Sequence, residues 1–418
     1  MNVLYVSYDG ALDPLGRSQV VPYLEGLSAE GFQYDLITFE KTARWNDLDD
    51  RKSMEERLSR ADIRWHPIRY RRRPPVLGTL LNLVEGYRLA LRLHGERAFD
   101  LVHARSYPSS VVARFLKTRR KIPFIFDMRG FYPEERVDGG LWKKDGVLFK
   151  AAKRVERDLF GRADGIVTLT EASLPLLSTR IAAAGGRAVP RVIPTCVDLD
   201  RFKPVPIGTR PAEFTLAYFG SLGTWYRLGD MLRFGRYVLE AAGGGRLLFL
   251  TNDDPSPVRR LAADAGIPPE TLSVGSVLHE DVPTALAAAH ATFFLIRSGS
   301  SRYGFHQTKL GESLALGLPV AANAGIGDTG EILEREGVGI LVDEGDEHGL
   351  RRSAAELVAL AEDPSTPERC RRVAERDYDR ALGVRRYAGL YRDLVGLADD
   401  GDGSDGGKTA SRMRKKVA

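Results

Sequence analysis

The chain has 418 residues, 43% of them hydrophobic and 28% charged, with a formal net charge of +5 and two cysteines. That balance excludes a disordered chain and a disulfide-stapled miniprotein, and no apolar run approaches the roughly 20 residues a membrane-spanning helix needs. The length exceeds one ordinary core and implies two domains of about 200 residues each.

Strand and helix patterns alternate from the start. A strand over 3–7 is followed by a helix over 18–31, a strand over 34–39, a polar helix over 47–60 and a short strand over 63–67. An amphipathic helix over 77–95 comes next, then strands at 101–104 and 124–126 with no element assigned between them. Helix 146–162, strand 165–169, helix 171–184 and strand 191–193 complete a first series. Pro194, Pro204, Pro206 and Pro211 oppose regular structure and place a linker over 202–211. A second series has strands at 215–219, 246–250, 272–274, 291–296, 320–322 and 339–342. Its helices run over 228–241, 257–265, 281–289, 310–317 and 350–362. A last helix spans about 384–397, and residues 399–418, acidic and Gly-rich and then basic, read as a disordered tail. The alternation predicts an α/β chain with two parallel-sheet domains, 1–203 and 212–383, and a separate C-terminal helix over 384–398.

Charge is uneven. Residues 1–210 carry 36 Lys+Arg against 26 Asp+Glu, a balance of +10, which leaves −5 for the rest. Cations cluster at Arg71, Arg72 and Arg73, at Arg119, Arg120 and Lys121, and at Lys143 and Lys144. Such clusters suit an anionic membrane surface or a phosphate-bearing acceptor, or form a solvated face. No aromatic platform or recognition motif accompanies them, so nucleic acid is not expected as a partner. Met1 leads directly into a strand without a signal-like segment, and Cys196 and Cys370 sit in no metal-ligand spacing. The expectation is a cytoplasmic protein, at most peripheral on the inner face of a membrane.

The most informative stretch is 304–320, where a polar loop enters a helix that Gly317 and Pro319 close before a strand. A helix start offers unpaired N–H groups and partial positive charge, so Gln307, Thr308 and Lys309 are candidate donors to a diphosphate. Glu312, one helical step behind, can accept two hydrogen bonds from a ribose diol. Together they suggest a nucleoside diphosphate; the alternative is a surface helix whose acid merely suits the dipole. Other candidates follow strand ends, where ligands bind in such sheets. Gly16 lies in a polar loop after the first strand, in no dinucleotide fingerprint, so a nicotinamide cofactor is unsupported. His103 and Asp127 follow buried strands, with Glu134 and Glu135 in the loop after Asp127 as further candidates; a capping Asp and a structural His are the plain alternatives. Gly325 and Asp328 sit in a Gly-rich turn open to a base or sugar.

The 304–320 segment resembles the donor-binding motif of retaining glycosyltransferases of family 4, two-domain enzymes of the GT-B fold with two Rossmann-like domains facing across a cleft. The likeness covers roughly the first 395 residues in element order. In the family's Glu, seven residues, Glu motif, Glu312 matches the second, ribose-binding Glu, while Gly304 stands in place of the first, which contacts the sugar. Asp127 matches a His or Asp facing the reacting sugar, His103 a cleft-edge His, and the Gly16 loop the family's first glycine loop. The usual Arg and Lys after the second domain's first strand are replaced by Ser221 and Tyr226, leaving Arg227 or Lys309 to supply charge to the diphosphate. The resemblance implies a metal-independent enzyme without cofactor that takes a sugar from a nucleotide-diphosphate donor and passes it to a glycan, lipid-linked or small-molecule acceptor. A sugar-nucleotide epimerase or hydrolase of the same fold, or a noncatalytic nucleotide-sugar-binding protein, are the rival readings.

Overall fold

The computed structural model describes residues 1–204, 210–223 and 225–396. The middle of the expected linker, the end of the last predicted helix and the expected tail lie outside them.

The first domain runs β1 (Asn2–Ser7), α1 (Pro14–Gln19), α2 (Val21–Ala29), β2 (Gln33–Glu40), α3 (Thr42–Trp45), α4 (Leu48–Arg60), β3 (Ile63–Arg69), α5 (Pro75–Glu96) and β4 (Leu101–Arg105). It continues α6 (Ser106–Arg120), β5 (Phe124–Asp127), α7 (Tyr132–Asp138), α8 (Val147–Arg162), β6 (Gly165–Thr168), α9 (Leu174–Ala183) and β7 (Pro190–Val192). Its seven strands lie in the order β3-β2-β1-β4-β5-β6-β7, all parallel. Strands β1, β5 and β6 are nearly continuous apolar runs because helices cover both faces.

The second domain runs β8 (Thr215–Phe219), α10 (Leu228–Ala241), β9 (Arg246–Leu250), α11 (Ser256–Asp264), β10 (Leu272–Gly275), α12 (Val282–Ala285), β11 (Ala291–Phe294) and α13 (Thr308–Ala315). Then come β12 (Val320–Ala322), α14 (Thr329–Glu336), β13 (Gly339–Leu341), α15 (Glu347–Glu362), α16 (Thr366–Asp377) and α17 (Arg380–Val395). Its six strands order as β10-β9-β8-β11-β12-β13 and are also parallel. Strand order reverses direction between β1 and β4 in one sheet and between β8 and β11 in the other, so each has its crevice at the carboxyl ends of those pairs.

Several elements depart from the sequence reading. The helix expected over 18–31 starts earlier and is broken at Val20, because Pro22 lacks the N–H that would continue the ladder. Helix α6 carries Pro108 in its first turn, where proline is tolerated, and its buried face mixes Ser109, Ser110 and Ala113 with Tyr107, Val112 and Leu116. Helix α7, with Pro133 near its start, places Glu134 and Glu135 on a helix rather than in a loop. Helices α14 and α16 also had no sequence assignment, and the helix expected over 281–289 shrinks to α12. Helix α17 returns to the first domain, burying Val384, Tyr387, Leu390 and Tyr391 with Tyr23, Leu24 and Tyr34. Both cysteines are free and buried, with thiols pushed up to about 11 and about 12 by burial. Among the described residues no helix is long and apolar enough to cross a membrane.

Candidate functional site

The two crevices meet. The loop after β5 touches the loop after β11, where Gly130 approaches the Gly304 carbonyl. The segment after β6 meets the loop before α14, where Asp328 accepts the N–H groups of Glu171 and Ala172 at 2.7 Å each. Thr195 bonds His306, and the Asp138 carboxylate accepts the Ser301 N–H at 2.8 Å. A cavity at this junction is lined from both sides, by Arg17, Ser18 and Gln19 of the first domain and by His279 and Glu312 of the second.

Glu312 is 5% exposed and sits one turn inside α13. Its Oε1 shares a 2.7 Å hydrogen bond with His279 Nε2. Burial pulls the His279 pKa down, but the adjacent Glu312 carboxylate outweighs it and the net shift is upward. Gln307 is the N-cap of α13, and its side chain makes no cap bond to the first-turn N–H groups that the sequence assigned to an anion. Its buried Nε2 has no hydrogen-bond partner among the described residues. Thr308 opens the helix and is half-buried.

Lys309 does not project from the helix end. Its Nζ donates to the hydroxyls of Tyr218 (3.1 Å) and Tyr226 (2.8 Å) and lies 4.2 and 4.0 Å from their ring centroids. Two aromatic faces and two hydroxyls satisfy an ammonium that the core otherwise repels. Burial pushes its pKa down to about 7, with the nearby Glu312 opposing. Because the unfolded chain keeps that proton up to the ordinary lysine range, stability is expected to rise with pH from about 7 to about 10. Thermal melts between pH 6 and 9 check this: Lys309→Met should melt higher than wild type at pH 7 and lose the rise. A wild-type melting temperature that is flat over the range would instead mean a lysine kept charged by an acceptor.

Arg227, the other expected diphosphate cation, is committed elsewhere. It caps α10 and pairs with Asp230 at 2.7 Å and Glu344 at 2.5 Å, so its charge is already matched. Gly16 is likewise structural: a Cβ there would lie 2.0 Å from the Gly10 carbonyl oxygen, so the glycine lets the loop after β1 fold onto its own helix. The N–H groups of Ala11 and Leu12 in that loop are taken by the Glu40 carboxylate.

Asp127, expected to face a sugar, and His103, expected at the cleft edge, are fully enclosed. His103 Nδ1 bonds the Tyr391 hydroxyl at 2.6 Å, and its Nε2 lies 3.4 Å from Asp127 Oδ2. The Tyr387 hydroxyl donates to the same oxygen at 3.1 Å. Helix α17 thus caps both residues, and neither is open to the cleft. Arg129 and Arg105 approach Asp127 to 3.6 and 3.8 Å. Burial alone would raise the Asp127 pKa, yet Arg129, His103 and Arg105 together bring it down to about 2. Arg129 follows two residues on, its side chain 11% exposed against 1% for Asp127. It adopts φ +57 and is followed by Gly130 at φ +139, a strained turn of the kind found at functional sites. Its charge bears on His306 across the seam. The sequence offered only its place after a buried strand.

Gly304 is packed where a side chain would meet the Phe131 ring at 3.0 Å. Beside it, the half-buried Glu135 brings Oε1 to 2.2 Å from where a Gly130 Cβ would stand. Burial raises the Glu135 pKa to about 7 against the pull of Arg302. Arg302 is 2% exposed, 4.4 Å from the Trp225 ring and 4.8 Å from that of Phe305, and none of its side-chain nitrogens has a hydrogen-bond partner among the described residues. Asp328 is spent on the interdomain bond rather than open to a sugar, whereas Gly325 is exposed with φ +78 and nothing near. Gly304 and Gly130 meet across the seam, with Glu135 and Arg129 on the first-domain side and Arg302 and Gln307 on the second, while Glu312 lies in the cavity with His279 and Gln19; of these, no motif marked Arg129 or Arg302. The structure sets His103, Asp127, Gly16 and Arg227 to one side. Among the described residues no group of three or more His, Cys, Asp or Glu is placed to hold a metal ion.

Residues 17–195 match the model of a family described as glycosyl transferase 4-like domain. No curated protein matches the chain. Among solved structures, sucrose-phosphate synthase from Thermosynechococcus elongatus is 18% identical, with 95% of this chain and 100% of that one aligned at a TM-score of 0.73. Anabaena HepE in complex with UDP and glucose is 16% identical over 94% and 100%, at 0.66. A glycosyltransferase from Rickettsia africae is 13% identical over 95% and 99%, at 0.68. At these identities the likeness is one of fold, and the fold of this chain is GT-B.

Proposed function

We propose that this protein is a glycosyltransferase that moves a sugar from a nucleotide-diphosphate donor to a glycan, lipid-linked or small-molecule acceptor, with retention of configuration and without a metal. The observation that carries the reading is Glu312, a buried carboxylate one turn inside the amino end of α13, in a cavity that both domains line. In this reading Glu312 holds the ribose diol. The first-turn N–H groups of α13, with Arg129 across the seam, stabilise the leaving diphosphate. Glu135, beside the side-chain-free Gly304, takes the sugar hydroxyls that a carboxylate at 304 would otherwise meet. The family match over 17–195 and the shared fold support glycosyl transfer, and the structure of HepE in complex with UDP-glucose makes that the first donor to try.

The test is a thermal-shift screen with UDP, GDP, ADP and dTDP sugars, followed by product analysis with and without acceptor. A specific donor should raise the melting temperature with the logarithm of its concentration. Conversion of donor alone would favour an epimerase or hydrolase, and binding with no turnover a noncatalytic protein. Activity is expected to survive EDTA. Glu135→Gln should lower turnover roughly 10- to 100-fold with nucleotide affinity unchanged, and should remove an inflection near pH 7 from the rate profile. Equal turnover in the two proteins would remove Glu135 from the sugar site.

A further inference from the structure

Helix α5 turns its small and polar residues inward. Gly78, Asn82, Gly86 and Ala90 face the domain, while Val76, Leu77, Leu80, Leu81 and Val84, at i, i+1, i+4, i+5 and i+8 spacing, are 45–57% exposed. The orientation is pinned. A Cβ at Gly78 would lie 2.7 Å from the Arg71 carbonyl oxygen, and one at Gly86 2.9 Å from the Phe39 ring. The Asn82 amide donates to the Tyr8 hydroxyl and the Arg71 carbonyl and accepts the Arg71 N–H. The leucines therefore cannot rotate inward, and a run that sequence periodicity would bury is left facing solvent.

The same layer repeats the pattern. Helix α6 packs against both α5 and α8. It exposes Phe115, and α8 exposes Val147, Leu148 and Val155 at i, i+1 and i+8. Exposed cations surround these side chains: Arg72, Arg73, Arg88, Arg119, Lys150 and Arg154, none of them in an ion pair among the described residues. An apolar stripe bordered by unmatched positive charge is the surface that settles into the headgroup boundary of an anionic bilayer. Tyr8, which follows β1 at the cleft, bonds Asn82, so the apolar half of α5 lies at the cleft's first-domain rim.

We infer that the α5–α6–α8 face docks this protein on an anionic membrane surface, with the leucines and valines inserted and the arginines and lysines on the headgroups. The inference does not depend on the proposed reaction. Its test is flotation of the full chain with phosphatidylcholine vesicles, with and without phosphatidylglycerol, at low and high salt. Binding is expected only with phosphatidylglycerol and should fall with salt. The triple variant Arg72→Ser, Arg73→Ser, Arg88→Ser should lower partitioning roughly 100-fold, about fivefold per cation. The variant Leu77→Ser, Leu80→Ser, Val84→Ser should lower it at least about tenfold, with circular dichroism unchanged. Failure to float with phosphatidylglycerol at low salt, or flotation equal to wild type in both variants, overturns the inference. So does a concentration-dependent dimer that the leucine variant dissolves, which would assign the face to a second copy of the chain.

Discussion

Asp127→Asn is expected to destabilise the folded chain by about 3 kcal/mol, because it removes the carboxylate that Arg129 and Arg105 share and leaves Arg105 only Asp9. The loss extends beyond the pair. The Tyr387 hydroxyl donates to Asp127, so the variant also weakens the seat of α17 on the first sheet. Denaturant titration followed by circular dichroism measures the change, and an unaltered midpoint would mean that the arginines find other partners. The same group sets an acid limit. Its folded pKa of about 2 lies below the unfolded value near 4, so its stabilisation is fully present above pH 4 and is lost as pH falls from about 4 to about 2. That window is worth roughly 2 kcal/mol, and the asparagine variant should lack it. Turnover is expected to fall only as far as Arg129 loses its position, since Asp127 itself is closed off from the cleft.

Glu312→Ala should cost roughly 1.5–3 kcal/mol of nucleotide affinity, about ten- to a hundredfold in dissociation constant, with the fold intact. The buried carboxylate and its place behind the α13 donors set the direction. His279 supplies the control: it bonds the same carboxylate but is over a third exposed, so His279→Ala should leave nucleotide binding within about threefold of wild type. Calorimetric titration with nucleoside diphosphates reads both. An unchanged dissociation constant in a folded Glu312→Ala protein would remove the ribose assignment and with it the main support for the proposed donor.

Much of this molecule was legible in its sequence. Thirteen strands were placed with ends within two residues, because parallel strands covered on both faces are short runs of apolar, often β-branched residues bounded by glycine, proline or polar turns. The place of Glu312 was legible too, since a helix start and an acid one step inside it are local. What escaped were helices α3, α6, α7, α14 and α16, three of which, α6, α7 and α16, hold proline near their starts, and every role that needs a distant partner. His103 and Asp127 look catalytic until Tyr391 and Tyr387 arrive from 288 and 260 positions away to enclose them. Lys309 looks like a diphosphate donor until Tyr218 of β8 and Tyr226 of the loop after it receive it, and which face of the amphipathic α5 is buried is decided only where Gly78 meets the Arg71 carbonyl and Gly86 the Phe39 ring. Periodicity along a chain reports which residues share a face. Which face is buried, and which neighbour completes a buried polar group, is settled only when segments far apart in sequence compete for the same volume.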